Sequence, residues 1–109
     1  MSGLTTHVLD IAHGRPGADV TVELWSGDGR RLTVASTNAQ GRTDAPLLDG
    51  AALAAGPYRL VFHLGSYFAR LGVRSFFDRV EVRFRVTGAE HYHVPLLAAP
   101  WGYSTYRGS

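Results

Sequence analysis

The chemistry this chain could perform concentrates on its histidines, one arginine and its last residues. His91-Tyr92-His93-Val94-Pro95-Leu96-Leu97 sets two imidazoles two positions apart. If the stretch is a strand, His91 and His93 share one face while Tyr92, Val94 and Leu96 take the other. The apolar set belongs in a core, so both imidazoles point away from it. Such a pair can ligate zinc. It can supply a general base, because an imidazole titrates near neutrality. It can also sit exposed with no task, and the pattern leaves all three open. Leu4-Thr5-Thr6-His7-Val8-Leu9-Asp10 has the same logic, with Leu4, Thr6 and Val8 on one face and Thr5, His7 and Leu9 on the other. His7 is then catalytic, structural or merely exposed. Arg42 directly follows Gly41. An arginine at such a turn is ordinarily solvated, and a functional one would orient a carbonyl or stabilise an oxyanion. Chain ends usually fray and carry nothing distinctive. This one ends Tyr103-Ser104-Thr105-Tyr106-Arg107-Gly108-Ser109, which is either a last edge strand of ordinary β-formers or part of a site.

Period-two alternation supplies the scaffold for these residues. Val80-Glu81-Val82-Arg83-Phe84-Arg85-Val86 alternates without a break, as a strand with one buried and one wet face does. Val20, Val22 and Leu24 alternate with Thr21, Glu23 and Trp25, and Tyr58, Leu60, Phe62 and Leu64 with Arg59, Val61 and His63. Ser26-Gly27-Asp28-Gly29 is a hairpin turn joining 19–25 to a strand near 30–36. Asn38-Ala39-Gln40-Gly41 is a second turn. Residues 66–72 form one short helix, with Ser66 as N-cap and Gly72 just past its end. Pro95 lacks an N–H, so the strand at 91–97 should lie at an edge or leave its sheet there. Pro100 to Gly102 turns the chain into a last strand at 103–107. Seven or eight short strands and one helix make a β-sandwich. Residues 1–109 form a single domain, without repeat or linker.

Composition removes several classes of function. With 109 residues the chain can bury a core but has little room for a deep pocket, so a site must lie on its surface or between subunits. The absence of cysteine excludes disulfides and thiolate metal sites. The formal charge is +2 and the charges are scattered, so no nucleic-acid footprint is present. Apolar runs fall short of the roughly 20 residues of a membrane span, and Met1 to Asp10 lacks the features of a signal peptide. A cytoplasmic location is the default expectation.

The same segments carry a resemblance. Leu4 to Asp10 followed by Gly14-Arg15-Pro16, the pair Gly41-Arg42, Tyr67-Phe68 and Phe76-Phe77 ahead of 80–86, His91 to Leu97, and the terminal Tyr106-Arg107-Gly108-Ser109 appear in order. Over essentially its full length the chain resembles the transthyretin-related family of 5-hydroxyisourate hydrolases. One departure is Asp78, where relatives usually carry Pro after the paired Phe. The resemblance implies a transthyretin-like (prealbumin-like) β-sandwich and catalytic roles for His7, Arg42, His93 and Ser109. His7, Arg42 and Tyr106 would contact substrate, and His91 would be a neighbour rather than the catalytic histidine. It also implies a homotetramer with sites where dimers meet. The implied reaction uses neither metal nor cofactor. General acid–base activation of water opens the six-membered ring of 5-hydroxyisourate, leaving 2-oxo-4-hydroxy-4-carboxy-5-ureidoimidazoline in urate degradation.

Overall fold

The computed structural model describes residues 3–88 and 90–109. Its strands are β1 (Gly3–Asp10), β2 (Arg15–Pro16), β3 (Thr21–Ser26), β4 (Arg31–Ser36), β5 (Leu48–Asp49), β6 (Gly56–His63), β7 (Arg79–Val86), β8 (Tyr92–Ala99) and β9 (Gly102–Thr105). One helix, α1 (Leu64–Arg70), and a single 3-10 turn at Gly50–Ala52 complete the described elements. The expected all-β sandwich is what forms. The strands beyond the expected count are the two-residue pieces β2 and β5, too short to show any periodicity.

Two sheets face each other. One runs β2-β1-β8-β9, with β5 also paired to β1; the other runs β4-β3-β6-β7 and is antiparallel throughout. Leu4 and Val8 from β1 and Tyr92, Val94 and Leu96 from β8 point between the sheets. They meet Val22, Leu24, Leu60, Phe62, Val80 and Val82 from the other layer. Each fully buried Leu, Val or Phe contributes roughly 1.5–3 kcal/mol by leaving water. Because β-strand side chains alternate, burying this set forces Thr5, His7 and His93 onto the outer face of the first sheet.

Two local expectations are corrected. The helix starts at Leu64 rather than Ser66, with His63 at its N-cap position and no side-chain cap. The carbonyl of Asp78 accepts the Gly65 N–H at 2.8 Å, so the loop before β7 does the work of a capping serine. Starting at Leu64 also completes a buried stripe of Leu64, Tyr67 and Phe68 at helical spacing. The second correction concerns β8, which lies centrally between β1 and β9 and not at an edge. The Pro95 carbonyl accepts the Thr105 hydroxyl at 2.7 Å, so the backbone polar side of Pro95 faces β9 and the parallel ladder with β1 loses nothing.

Polar groups inside this frame are partnered. On the outer face of the second sheet, Glu23 accepts from His63 and from the Trp25 indole, and the Arg59 guanidinium lies over the Trp25 ring. His63, which no motif singles out, is thus the partner of a buried carboxylate. At the end of β1, Asp10 is 1% exposed. It accepts from the Tyr67 hydroxyl at 2.6 Å, from His13 Nδ1 at 2.7 Å, and from the backbone N–H groups of Ala12 and His13. Burial pushes the Asp10 carboxyl up, but the hydrogen bonds from Tyr67 and His13 together outweigh it and hold the group below its ordinary value. A carboxyl depressed by folding adds stability above its unfolded pKa, and that stability is lost as pH falls through the folded value. Tyr67→Phe should therefore lower the unfolding free energy at pH 7 by about 1–3 kcal/mol, the worth of a hydrogen bond to a charged group. The gap to wild type should shrink on acidification below the usual carboxylate range. Urea melts at both pH values check this, and equal stability at pH 7 would remove Asp10 from its anchoring role.

Candidate active site

Backbone pairing assembles the site before any side chain is considered. Parallel register sets Thr5 beside His93 and His7 beside Pro95, so the outward residues of β1 and β8 form one field. The other edge of β1 is shared by three short pieces. β5 pairs at Gly3 and Leu4, β2 pairs at Leu9 and Asp10, and Arg42 bridges to His7 between them. The arginine turn therefore fills the gap left by two strands too short to meet. On the far side of β8, β9 runs from Ala99–Gly102 to Leu96–Thr105, and the same register continues to a bridge between His93 and Gly108. The missing N–H of Pro95 falls between ladder and bridge. The tail then closes again on His93, with the Gly108 N–H donating to the His93 carbonyl at 2.7 Å.

Each histidine has one ring nitrogen engaged and one free. His7 Nε2 donates to the Gln40 carbonyl at 2.9 Å, which leaves Nδ1 with the lone pair. His93 Nδ1 lies 2.8 Å from the Thr5 hydroxyl, and its Nε2 has no hydrogen-bond partner among the described residues. Both imidazoles are held below the ordinary histidine value. For His7 the causes are partial burial and then the Arg42 guanidinium, opposed by the bond to Gln40. For His93 they are partial burial, then the charges of Arg42, His7 and His91, opposed by Thr5. Both rings are consequently neutral near pH 7, with a lone pair available to take a proton.

Two glycines lie against these rings. Gly41 has φ +79°, and a Cβ there would come within 2.3 Å of the Val8 carbonyl and 3.2 Å of His7 Cδ2. A Cβ on Gly108 would lie 2.6 Å from His93 Cδ2 and 3.3 Å from Cγ. Only a residue without a side chain lets the turn and the tail approach so closely.

Of the residues expected from sequence, His7, Arg42 and His93 come together on this face. Tyr106 is exposed in the tail segment that follows β9, and Ser109 is the exposed residue after Gly108. Thr5 and Gly108 lie within the first and terminal motifs and Gln40 within a turn; the sequence assigns none of them a role, yet they hold the two rings. Period two puts Thr5 on the face of His7, but nothing in a sequence distinguishes a binding hydroxyl from an ordinary β-former. The His91/His93 pair meets at Thr5, and among the described residues no group of three or more His, Asp or Glu is placed to hold a metal ion.

Comparison with known proteins bears on the family and the fold. Residues 4–108 match the model of the HIUase/Transthyretin family. A 5-hydroxyisourate hydrolase of Rhizobium meliloti is 51% identical over 114 residues, covering 97% of this chain and 95% of its own. The solved 5-hydroxyisourate hydrolase of Klebsiella pneumoniae superposes with a TM-score of 0.88 at 45% identity, covering 99% of this chain and all of that one. Sea bream transthyretin in complex with thyroxine superposes with a TM-score of 0.89 at 28% identity, over 96% of this chain and 93% of that one.

The tail's contact with His93 can be probed directly. Gly108→Ala should drive the tail off the ring, since Cβ and Cδ2 cannot share that space, and lower turnover by on the order of tenfold or more, as misplaced catalytic groups do. Its unfolding free energy should stay within about 0.5 kcal/mol of wild type, because no core residue moves. Full turnover in this variant would separate the tail from the site.

Proposed function

We propose that the chain, which belongs to the HIUase/transthyretin family, hydrolyses 5-hydroxyisourate on the outer face of its first sheet. The observation that carries this reading is the pairing of two neutral imidazoles, each with one nitrogen tied and one free, beside a single guanidinium. Ring opening needs a base for water, a positive group for the developing oxyanion, and a proton for the leaving nitrogen. His93 Nε2 takes the proton from water as its oxygen adds to the ring carbonyl. Arg42 faces the resulting oxyanion with a planar fork of donors. The C–N bond of the ring amide then breaks, and the proton held on His93 passes to the departing nitrogen. The charges that depress His93 make its protonated form a stronger acid, which suits that return. His7 binds the ring through its free Nδ1, and Tyr106 and Ser109 orient substrate and water from the tail. The products are a carboxylate and a ureido group on the remaining five-membered ring.

The working form is a homotetramer with sites shared at the dimer–dimer interface. The catalytic face lies open on the sheet surface, and a stacked aromatic pair stands exposed at the other end of β8, by the turn into β9. Phe76 is 69% and Trp101 66% exposed, with ring centroids 6.1 Å apart. Exposed apolar surface of this kind marks association sites. Light scattering should return four times the chain mass at micromolar concentration, and a fully active monomer would refute the shared site.

Substrate generated in place by urate oxidase should be consumed at a rate proportional to enzyme. His93→Asn should cut that rate by on the order of 10²-fold or more while costing about 1 kcal/mol of stability, the worth of the bond to Thr5. The acid limb of kcat/KM should lie below 6.5, the ordinary histidine value against which both rings are lowered. Arg42→Gln should raise that limb, because removing a positive charge eases protonation of both rings. His63→Gln is the control: turnover should persist even though Glu23 loses its partner and stability falls. Unchanged turnover in His93→Asn, or an acid limb that Arg42→Gln leaves in place, would overturn the assignment.

A further inference from the structure

The Thr5 hydroxyl sits between two imidazoles. Its Oγ1 is 2.8 Å from His93 Nδ1 and 3.1 Å from His91 Nε2. The parallel register that pairs Thr5 with His93 fixes the first contact, and His91, just before β8, makes the second. A hydroxyl has one hydrogen to donate, and a neutral imidazole carries one N–H. An oxygen that accepted from both rings would leave its own hydrogen without an acceptor among the described residues. With both rings neutral and that hydrogen used between them, the two bonds can form together in only two ways. Either His93 donates from Nδ1 and Thr5 donates to His91, or His91 donates and Thr5 donates to His93. The tautomers of the two histidines are therefore coupled through one oxygen.

The two arrangements differ in what they leave His93 able to do. In the first, Nε2 of His93 holds a lone pair and can accept a proton from water. In the second, Nε2 already carries hydrogen and cannot. Once His93 has taken a proton at Nε2, Nδ1–H is an obligatory donor, and His91 Nε2 is the acceptor among the described residues left for the hydroxyl hydrogen. The first arrangement is thus the same before and after proton uptake, so no group has to turn over during the step. That is the preorganisation a base requires. Resting on the reading of His93 as the group that moves the proton, we propose that Thr5 and His91 are positioning residues. His91 accepts the Thr5 hydroxyl hydrogen and so holds His93 in the Nδ1–H tautomer with Nε2 free.

The surroundings give His91 no other assigned task. Its ring is exposed, while its carbonyl accepts from Arg107, which also pairs with Glu90 at 3.2 Å. Arg42 and His7 are the other charged or titratable groups that act on His93.

The test combines kinetics with ¹⁵N NMR of the histidine rings in the intact protein. In wild type, His93 should show the Nδ1–H tautomer. In His91→Phe the hydroxyl is released to donate to His93, so the Nε2–H tautomer should appear and kcat should fall about tenfold with KM within twofold. Thr5→Val, which removes the relay entirely, should fall at least as far, and Thr5→Ser should restore both the tautomer and most of the rate. A His93 that keeps Nδ1–H and full kcat in both His91→Phe and Thr5→Val would overturn the relay. So would Thr5→Ser behaving like Thr5→Val, which would mark a packing role for the methyl group. His93→Asn, run alongside, separates the two levels. If it loses turnover while the relay variants do not, only the relay fails. If it keeps turnover, the assignment of His93 fails and the relay with it.

Discussion

Seven residues of β1 run in parallel register with seven of β8, from Leu4 beside Tyr92 to Asp10 beside Ala98. The partners lie far apart in sequence, with Thr5 and His93 separated by 88 positions. No hairpin can make such a pair; parallel strands need a crossover, and here the whole second sheet lies within it. Everything at the site hangs on that ladder. It sets Thr5 against His93, holds His7 one pair further on, and gives β9 and the tail an inner strand to follow. A one-residue slip of β1 against β8 would turn His7 into the core and bring Leu4 and Val8 to the surface. Burying an imidazole and exposing two aliphatic side chains costs several kcal/mol, so packing fixes this register.

The edge of β1 shows how a small sheet can be closed and made functional at once. A long exposed edge invites further strand pairing. Here it is covered in three short lengths by β5, the Gly41–Arg42 turn and β2, with Val8 N–H donating to the Gly41 carbonyl at 2.8 Å and its carbonyl accepting from Gly17 at 2.9 Å. Because the middle piece is a turn, it can bring an arginine side chain to the face that already carries His7. Together with partial burial, the positive charge then lowers the proton affinity of both rings.

Much of this was legible in the chain, and the remainder has identifiable physical reasons. Alternation in 80–86 reflects a largely one-sided burial and that strand appears as expected; the alternation from Tyr58 to Leu64 gives a strand that ends at His63, with Leu64 opening the helix and Val61 buried on the outer face. The faces of His7 and His93 followed from the same rule. The helix start was hidden because its first free N–H is satisfied by the Asp78 carbonyl, a partner 13 positions from Gly65 that no capping pattern reveals. Pro95 suggested an edge, since a sequence does not say which side of a strand its missing donor faces. Thr5 was invisible as a functional residue for a different reason. Its role depends on where two nitrogens from β8 and its approach fall around one oxygen, and that is a property of register, not of residue type. The terminal Gly108 is similar: its lack of a side chain matters only because a ring occupies the space beside it.

Period two also explains how one sandwich can serve unlike ends. Inward residues of β1 and β8 decide whether the sheets pack, and outward residues meet only solvent, ligand or another subunit. The two sets alternate along the same strands and share no side chain, so the outer set can change with little cost to the core. A transthyretin solved with thyroxine superposes on this chain at a TM-score of 0.89 although only 28% of residues agree. Shared fold therefore cannot decide between holding a ligand and cleaving one. What decides it is whether the outer face presents groups that can take up and release a proton beside a fixed positive charge. In this chain that face carries His7, His93 and Arg42, with backbone carbonyl and hydroxyl partners committing one nitrogen of each ring and leaving the other without a partner among the described residues.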